Sequence, residues 1–218
     1  DTVFKTTDGG LNWVGYRSVD TNKLSGLFFL DNNTGWVAGY HGKIAKTTDG
    51  GVSWVLQTSG VQSWLNCIRF IDANTGIAVG SKDSNRVIVK TTNGGSNWQV
   101  LERSNQSRLY SVFMTGLQSI YCVGDSGKII YSSNGGNSWS IQQSGTAATL
   151  REIIFKNWGP VSIGYVAGKG GAILLTTNGG SNWVNRSFNS VNFYGIDFAT
   201  IDTGYISGTG KIYKTING

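Results

Sequence analysis

A chain of 218 residues with 14% charged positions and a formal net charge of +6 can bury a sizeable core, and its basicity is diffuse rather than concentrated. The 18 Lys and Arg stand one or two at a time, with no run of the kind that tracks a phosphate backbone, so nucleic acid is excluded as an expected partner. No stretch approaches the ~18 apolar residues of a membrane helix and no basic, apolar leader opens the chain, so membrane insertion is not expected and any export signal reads as removed or never included.

The single histidine, His41, and the two cysteines, Cys67 and Cys122, narrow the chemistry further. Neither cysteine has a CxxC partner or a nearby histidine cluster, which removes a zinc site. A lone imidazole removes most Ser-His-Asp and Cys-His schemes. No metal or cofactor is therefore expected. Thirty-two Gly against one Pro, with 8 Trp, 9 Tyr and 9 Phe, predict short aromatic strands joined by tight glycine turns and almost no helix.

From the N-terminus, residues 1–19 read as the last two strands of a repeating unit. Whole units follow at 20–60, 61–104, 105–145 and 146–188, and residues 189–218 read as a partial unit, all within one domain. Each boundary is set by a recurring motif: "TTDGGLNW" from Thr6, "TTDGGVSW" from Thr47, "TTNGGSNW" from Thr91, "SSNGGNSW" from Ser132, "TTNGGSNW" from Thr176, and an opening "TING" at Thr215. Between Asp8, Asp49, Asn93, Asn134, Asn178 and Asn217 the spacing is 41, 44, 41, 44 and 39 residues. A period near 40 residues signals a repeat architecture.

Within each unit a first strand carries apolar anchors: Leu24, Leu27 and Phe29; Leu65, Ile68 and Phe70; Leu109, Val112 and Met114; Leu150, Ile153 and Phe155; Phe193, Ile196 and Phe198. A second strand of the "TGWVAG" type, a third of the "GKIAKTT" type and a fourth beginning at the motif tryptophan complete the unit. Four antiparallel strands in about 42 residues describe one blade of a β-propeller.

The motif poses a chemical question, because an Asp beside two glycines suits a catalytic or metal-binding role. Four of the six copies carry Asn, however, and a carboxylate cannot become an amide and keep its proton chemistry. Asp and Asn share a short side chain with an oxygen that accepts from backbone N–H groups just ahead, and the Gly-Gly that follows admits positive φ. The tryptophan is expected to pack across the hairpin or against the next blade, burying roughly 200 Å². Asp8, Trp13, Asp49, Trp54, Asn93, Trp98, Asn134, Trp139, Asn178 and Trp183 are thus read as structural.

These elements closely resemble the Asp-box, or BNR repeat, and the stretch "GWVAGYHGKIAKTTDGGVSW" is similar to the propeller family that includes the photosystem II assembly factor Ycf48. The resemblance covers essentially the whole chain. It implies an all-β propeller of five to seven blades, a box hairpin between the third and outermost strands of each blade, and an innermost first strand. It also implies an extracytoplasmic location, whether periplasmic, cell-surface or secreted. Box repeats occur in sialidases and other glycosidases as well, so a glycan-binding or glycan-cleaving propeller is the alternative.

Function in a propeller is sought where a unit departs from its siblings. A glycosidase needs two carboxylates across a sugar bond, or a tyrosine nucleophile with arginines. The only glutamates are Glu102 and Glu152, and Arg69 with Asp72 in "RFID" is the nearest arginine–acid pair. On the first strands, Arg69, Glu152 and Asp197 are candidates for a central channel. At the junctions leading into those strands, Trp64, Arg108, Tyr110, Arg151 and Tyr194 form a candidate protein-binding surface, since Trp, Tyr and Arg give large contact area at modest entropy cost. The segment "GSKDSNRV", Gly80 to Val87, reads as the longest connection between second and third strands. Because the chain opens and stops partway through a blade, it is expected to be a fragment of a larger ring. The expected function is a non-enzymatic, exported scaffold or assembly factor that binds another protein or protein complex.

Overall fold

The computed structural model describes residues 2–17, 23–83, 85–104, 106–158, 161–188 and 190–218. The unit boundaries read at 19–20, 105 and 189 lie outside them. The chain divides into two compact units, Asp1–Gln106 and Ser107–Gly218.

In the first unit, β1 (Thr2–Lys5) and β2 (Val14–Arg17) form a hairpin. Two four-stranded antiparallel meanders follow: β3 (Leu24–Phe29), β4 (Gly35–Gly39), β5 (Lys43–Thr47) and β6 (Val55–Thr58), then β7 (Trp64–Phe70), β8 (Gly76–Lys82), β9 (Asn85–Thr91) and β10 (Gln99–Ser104). The second unit holds two more: β11 (Leu109–Met114), β12 (Ile120–Gly124), β13 (Ile129–Ser132) and β14 (Ser140–Gln142), then β15 (Leu150–Trp158), β16 (Val161–Gly168), β17 (Ile173–Thr176) and β18 (Val184–Asn185). A three-stranded sheet of β19 (Phe193–Phe198), β20 (Gly204–Gly208) and β21 (Lys211–Thr215) closes the described chain. The helical content among the described residues is three short 3₁₀ turns, Tyr40–Gly42, Asp125–Gly127 and Lys169–Gly171.

Most anchors of the first strands are core residues, for a geometric reason; on β3, however, Leu24 and Phe29 are only partly buried and Leu27 is 49% exposed. An aromatic of the first strand lies directly opposite a glycine of the second strand, as in Phe29↔Gly35, Phe70↔Gly76, Phe155↔Gly164 and Phe198↔Gly204. A Cβ on Gly76 would stand 2.4 Å from the Phe70 ring, so the ring occupies the space a side chain would need. Where the first strand ends in Met114 instead, its cross-strand partner is Ile120. The aromatic one residue past the glycine then reaches the neighbouring sheet. Trp36 stacks on Phe70 with ring centroids 3.5 Å apart, Tyr165 on Phe198 at 3.8 Å, and Tyr121 meets Phe155 at 4.7 Å. The first two pairs are stacked and the third is tilted, and such aromatic contacts add to the burial of area.

Three details differ from the sequence expectation. The fourth strand begins one residue past the tryptophan, at Val14, Val55, Gln99, Ser140 and Val184. "GSKDSNRV" is not a long connection: β8 and β9 stay paired through Ser81↔Arg86 and Lys82↔Asn85, and Asp83, next after the last pair, has φ +55°. The insertion after Phe155 likewise prolongs a ladder, with Lys156↔Ile163 and Asn157↔Ser162, in place of the Asx turns that Asp31 and Asp72 make elsewhere.

Candidate functional site

The box turns share one hydrogen-bond pattern. Thr47 Oγ1 donates to Asp49 Oδ1 at 2.7 Å and accepts from the Gly51 N–H at 2.9 Å, while Asp49 Oδ1 accepts from the Ser53 N–H at 2.9 Å. With Asn in place of Asp the lengths barely change: Thr91 Oγ1 to Asn93 Oδ1 is 3.0 Å, and the Gly95 and Asn97 N–H bonds are both 2.9 Å. Ser132 serves as well as Thr, accepting from Gly136 N–H at 2.8 Å. The paired glycines take φ near +70° and +90°, as at Gly50 and Gly51. A bond from the Asn12 N–H holds the Asp8 carboxyl down at about 2, and the Ser53 hydroxyl and N–H hold Asp49 lower still. Both acids therefore stay ionised, the wrong state for donating a proton.

The tryptophans close the turns in two ways. Trp13 and Trp54 donate their indole N–H to the carbonyls of Gly10 and Gly51 in their own turn, each at 3.1 Å. Trp98 and Trp183 instead donate to Gln57 Oε1 at 3.3 Å and Gln142 Oε1 at 2.9 Å on the outer strand of the preceding sheet. The Trp139 N–H is buried without a hydrogen-bond partner among the described residues.

The six surface candidates fall into separate groups. In the second unit, Arg108, Tyr110 and Arg151 converge. The Arg151 guanidinium lies 4.2 Å from the centre of the Tyr110 ring, at a distance suited to cation–π attraction. Asp125 accepts from Thr149 Oγ1 at 3.1 Å, and its N–H donates to the Arg108 carbonyl at 3.0 Å. Burial first, then the charge of Asp125, pushes the Tyr110 hydroxyl upward, with Arg151 opposing. Arg151 Nε is buried without a hydrogen-bond partner among the described residues. Tyr194 stands exposed on β19, outside this group.

In the first unit, Trp64 at the head of β7 is 42% exposed. Its ring lies 5.0 Å from that of Tyr40, its indole N–H donates to the Ser25 hydroxyl, and His41 meets Tyr40 edge-on at 4.7 Å. Arg69 belongs elsewhere on the strand, 5.9 Å over the Phe28 ring with Nη1 donating to the Ile68 carbonyl at 3.0 Å. Of the other singled-out charges, Asp197 pairs with Lys156 at 2.8 Å. Glu102 is committed to Arg86, which binds its Oε1 through Nε at 2.7 Å and through Nη2 at 2.5 Å, with Ser104 Oγ donating to the same oxygen at 2.9 Å.

Sequence reading missed Ser25, Tyr40, His41, Asp125 and Thr149. Tyr40 and Asp125 had a usable signal, since each follows the glycine that ends a second strand, where the chain turns and a side chain is free to vary.

The model of the family described as "Photosynthesis system II assembly factor YCF48" matches residues 16–159, well over half of the chain. The chain belongs to this family. No curated protein matches it. Among solved structures, "YCF48 bound to D1 peptide" is 22% identical with a TM-score of 0.73, covering 100% of this chain and 72% of that one. YCF48 from Cyanidioschyzon merolae is 17% identical with a TM-score of 0.71, covering 99% and 76%. The GH74 enzyme of Niastella koreensis is 15% identical with a TM-score of 0.69, covering 89% of this chain but 37% of its own. At these identities the likeness shows the fold, a β-propeller of four-stranded antiparallel blades. The sheets of this YCF48-family member are accordingly its blades, and its box hairpins join their third and fourth strands.

Proposed function

We propose that the protein is a non-enzymatic assembly factor that binds a polypeptide segment of a larger complex and works outside the cytoplasm. Membership of the YCF48 family is the observation that carries this reading, and a family structure described as bound to a D1 peptide supports a peptide as the ligand class. The Tyr110–Arg151 pair with Arg108 and Asp125 supplies a fitting contact. An aromatic face, guanidinium donors and one carboxylate together suit the enriched composition of protein-binding hot spots. The box acids are spent on turns and Glu102 on an ion pair, which leaves these groups to structure rather than to glycoside chemistry.

Cross-linking in native envelopes, followed by affinity capture and mass spectrometry, tests the proposal. The wild-type protein is expected to retain a membrane-complex subunit that the Tyr110→Ala/Arg151→Ala variant captures at least tenfold less, with the thermal midpoint of the variant measured alongside. Equal capture by both proteins, or turnover of β-glucans or sialosides by the wild type, would overturn it.

A further inference from the structure

The prolonged β8–β9 ladder has a consequence on its flank. Beside it lies a cleft of about 450 Å³, walled by Lys82 and Asn85 from the hairpin, Arg103 and Ser104 from β10, and Gln62 and Ser63 from the segment leading into β7. Val87 and Gly60 complete the lining. The volume lies within the range that holds a small molecule. Because it depends on the two extra pairs Ser81↔Arg86 and Lys82↔Asn85, the cleft belongs to this blade's departure from the repeat.

The chemistry of the walls is specific. Lys82 and Arg103 are cationic and no carboxylate lines the cleft. Two acids adjoin lining residues in sequence: Glu102, whose Oε1 is taken by Arg86 and Ser104, and Asp83, which follows Lys82 and does not line the cleft. Arg103 is fixed by donating from Nη2 to the Gly60 carbonyl at 2.5 Å, and a guanidinium has further N–H donors beyond that one. Two side-chain amides and two hydroxyls add groups that both donate and accept, the pattern that matches sugar hydroxyls rather than an apolar peptide side chain.

We infer that this cleft binds an acidic monosaccharide unit, a pyranose bearing a carboxylate, with Lys82 and Arg103 on the carboxylate and Gln62, Asn85 and the serines on the hydroxyls. Titration calorimetry of the intact chain against glucuronate, glucose, glucose 6-phosphate, inorganic phosphate and a Glu-rich peptide tests the assignment. Glucuronate is expected to bind saturably and at least tenfold tighter than each of the other four. Lys82→Gln, an exposed side chain without an ion pair among the described residues, is expected to weaken glucuronate at least tenfold while leaving the thermal midpoint unchanged. Arg103→Gln is expected to weaken it further. Absence of saturable glucuronate binding overturns the inference, as does glucose binding equally well, phosphate or the sugar phosphate binding more tightly, the Glu-rich peptide competing at equal affinity, or indifference to Lys82→Gln.

Discussion

The Thr91 hydroxyl serves three partners at once: it donates to Asn93 Oδ1 and accepts from the N–H groups of Asn93 and Gly95. Thr91→Val keeps the shape and leaves a buried Gly95 N–H unpaired, which costs about 1–3 kcal/mol. Thr91→Ser keeps the bonds, as Ser132 does in its own turn, and is expected to cost far less. Chemical denaturation of the two variants checks the contrast. The tryptophans differ in burial as well as in hydrogen-bond partner. Trp98 is 8% exposed and Trp13 is 59% exposed, so Trp98→Ala is expected to cost about 3–5 kcal/mol and Trp13→Ala well under that. Equal losses in urea melts would mean that the box tryptophan acts through its turn alone.

Between neighbouring strands the decisive pair is an aromatic and the glycine opposite it. Gly76→Ala forces a methyl into the Phe70 ring and is expected to destabilise by about 1–3 kcal/mol. The blade carrying Met114 opposite Ile120 shows the alternative solution to the same volume. A Phe70→Met/Gly76→Ile double variant is therefore expected to be more stable than the sum of its single variants by about 1 kcal/mol, measured as a double-mutant cycle. Additivity would mean that the two positions are filled independently. In the prolonged β8–β9 hairpin, the pairs Ser81↔Arg86 and Lys82↔Asn85 carry polar side chains out along the ladder.

Among the described residues, four acids are held below their ordinary range by N–H or hydroxyl donors: Asp8, Asp31, Asp49 and Asp72. A depressed carboxyl stabilises the folded form fully above its unfolded value of 3.8 and loses that contribution as pH falls through its folded value, about 2 for Asp8. The thermal midpoint is thus expected to fall between pH 5 and pH 2. Asp8→Asn and Asp49→Asn should flatten that slope with little change at pH 7, since the Asn turns keep the same bonds. A midpoint that is flat in the wild type would remove these turns from the acid response. The two groups of surface aromatics and arginines lie on different compact units, so each requires its own variant in any binding experiment.

Period, strand order and turn chemistry were readable in the sequence because they are local: a hydroxyl, an Asx and two glycines interact within four residues, and the Asn copies alone ruled out acid catalysis. Arg108, Tyr110 and Arg151 were singled out, together with Trp64 and Tyr194, because all five stand at the junctions leading into first strands. What the residue order could not give is the choice among distant partners. Nothing local tells Trp54 to use its own turn while Trp98 reaches Gln57, or sends Arg69 over Phe28 and away from Trp64. The Arg86–Glu102 pair and the cleft beside β8 and β9 arise from strands brought together by pairing register, and register answers to the packing of the whole sheet. Turn and repeat were written in neighbours along the chain, and surface and cleft were set by neighbours in space.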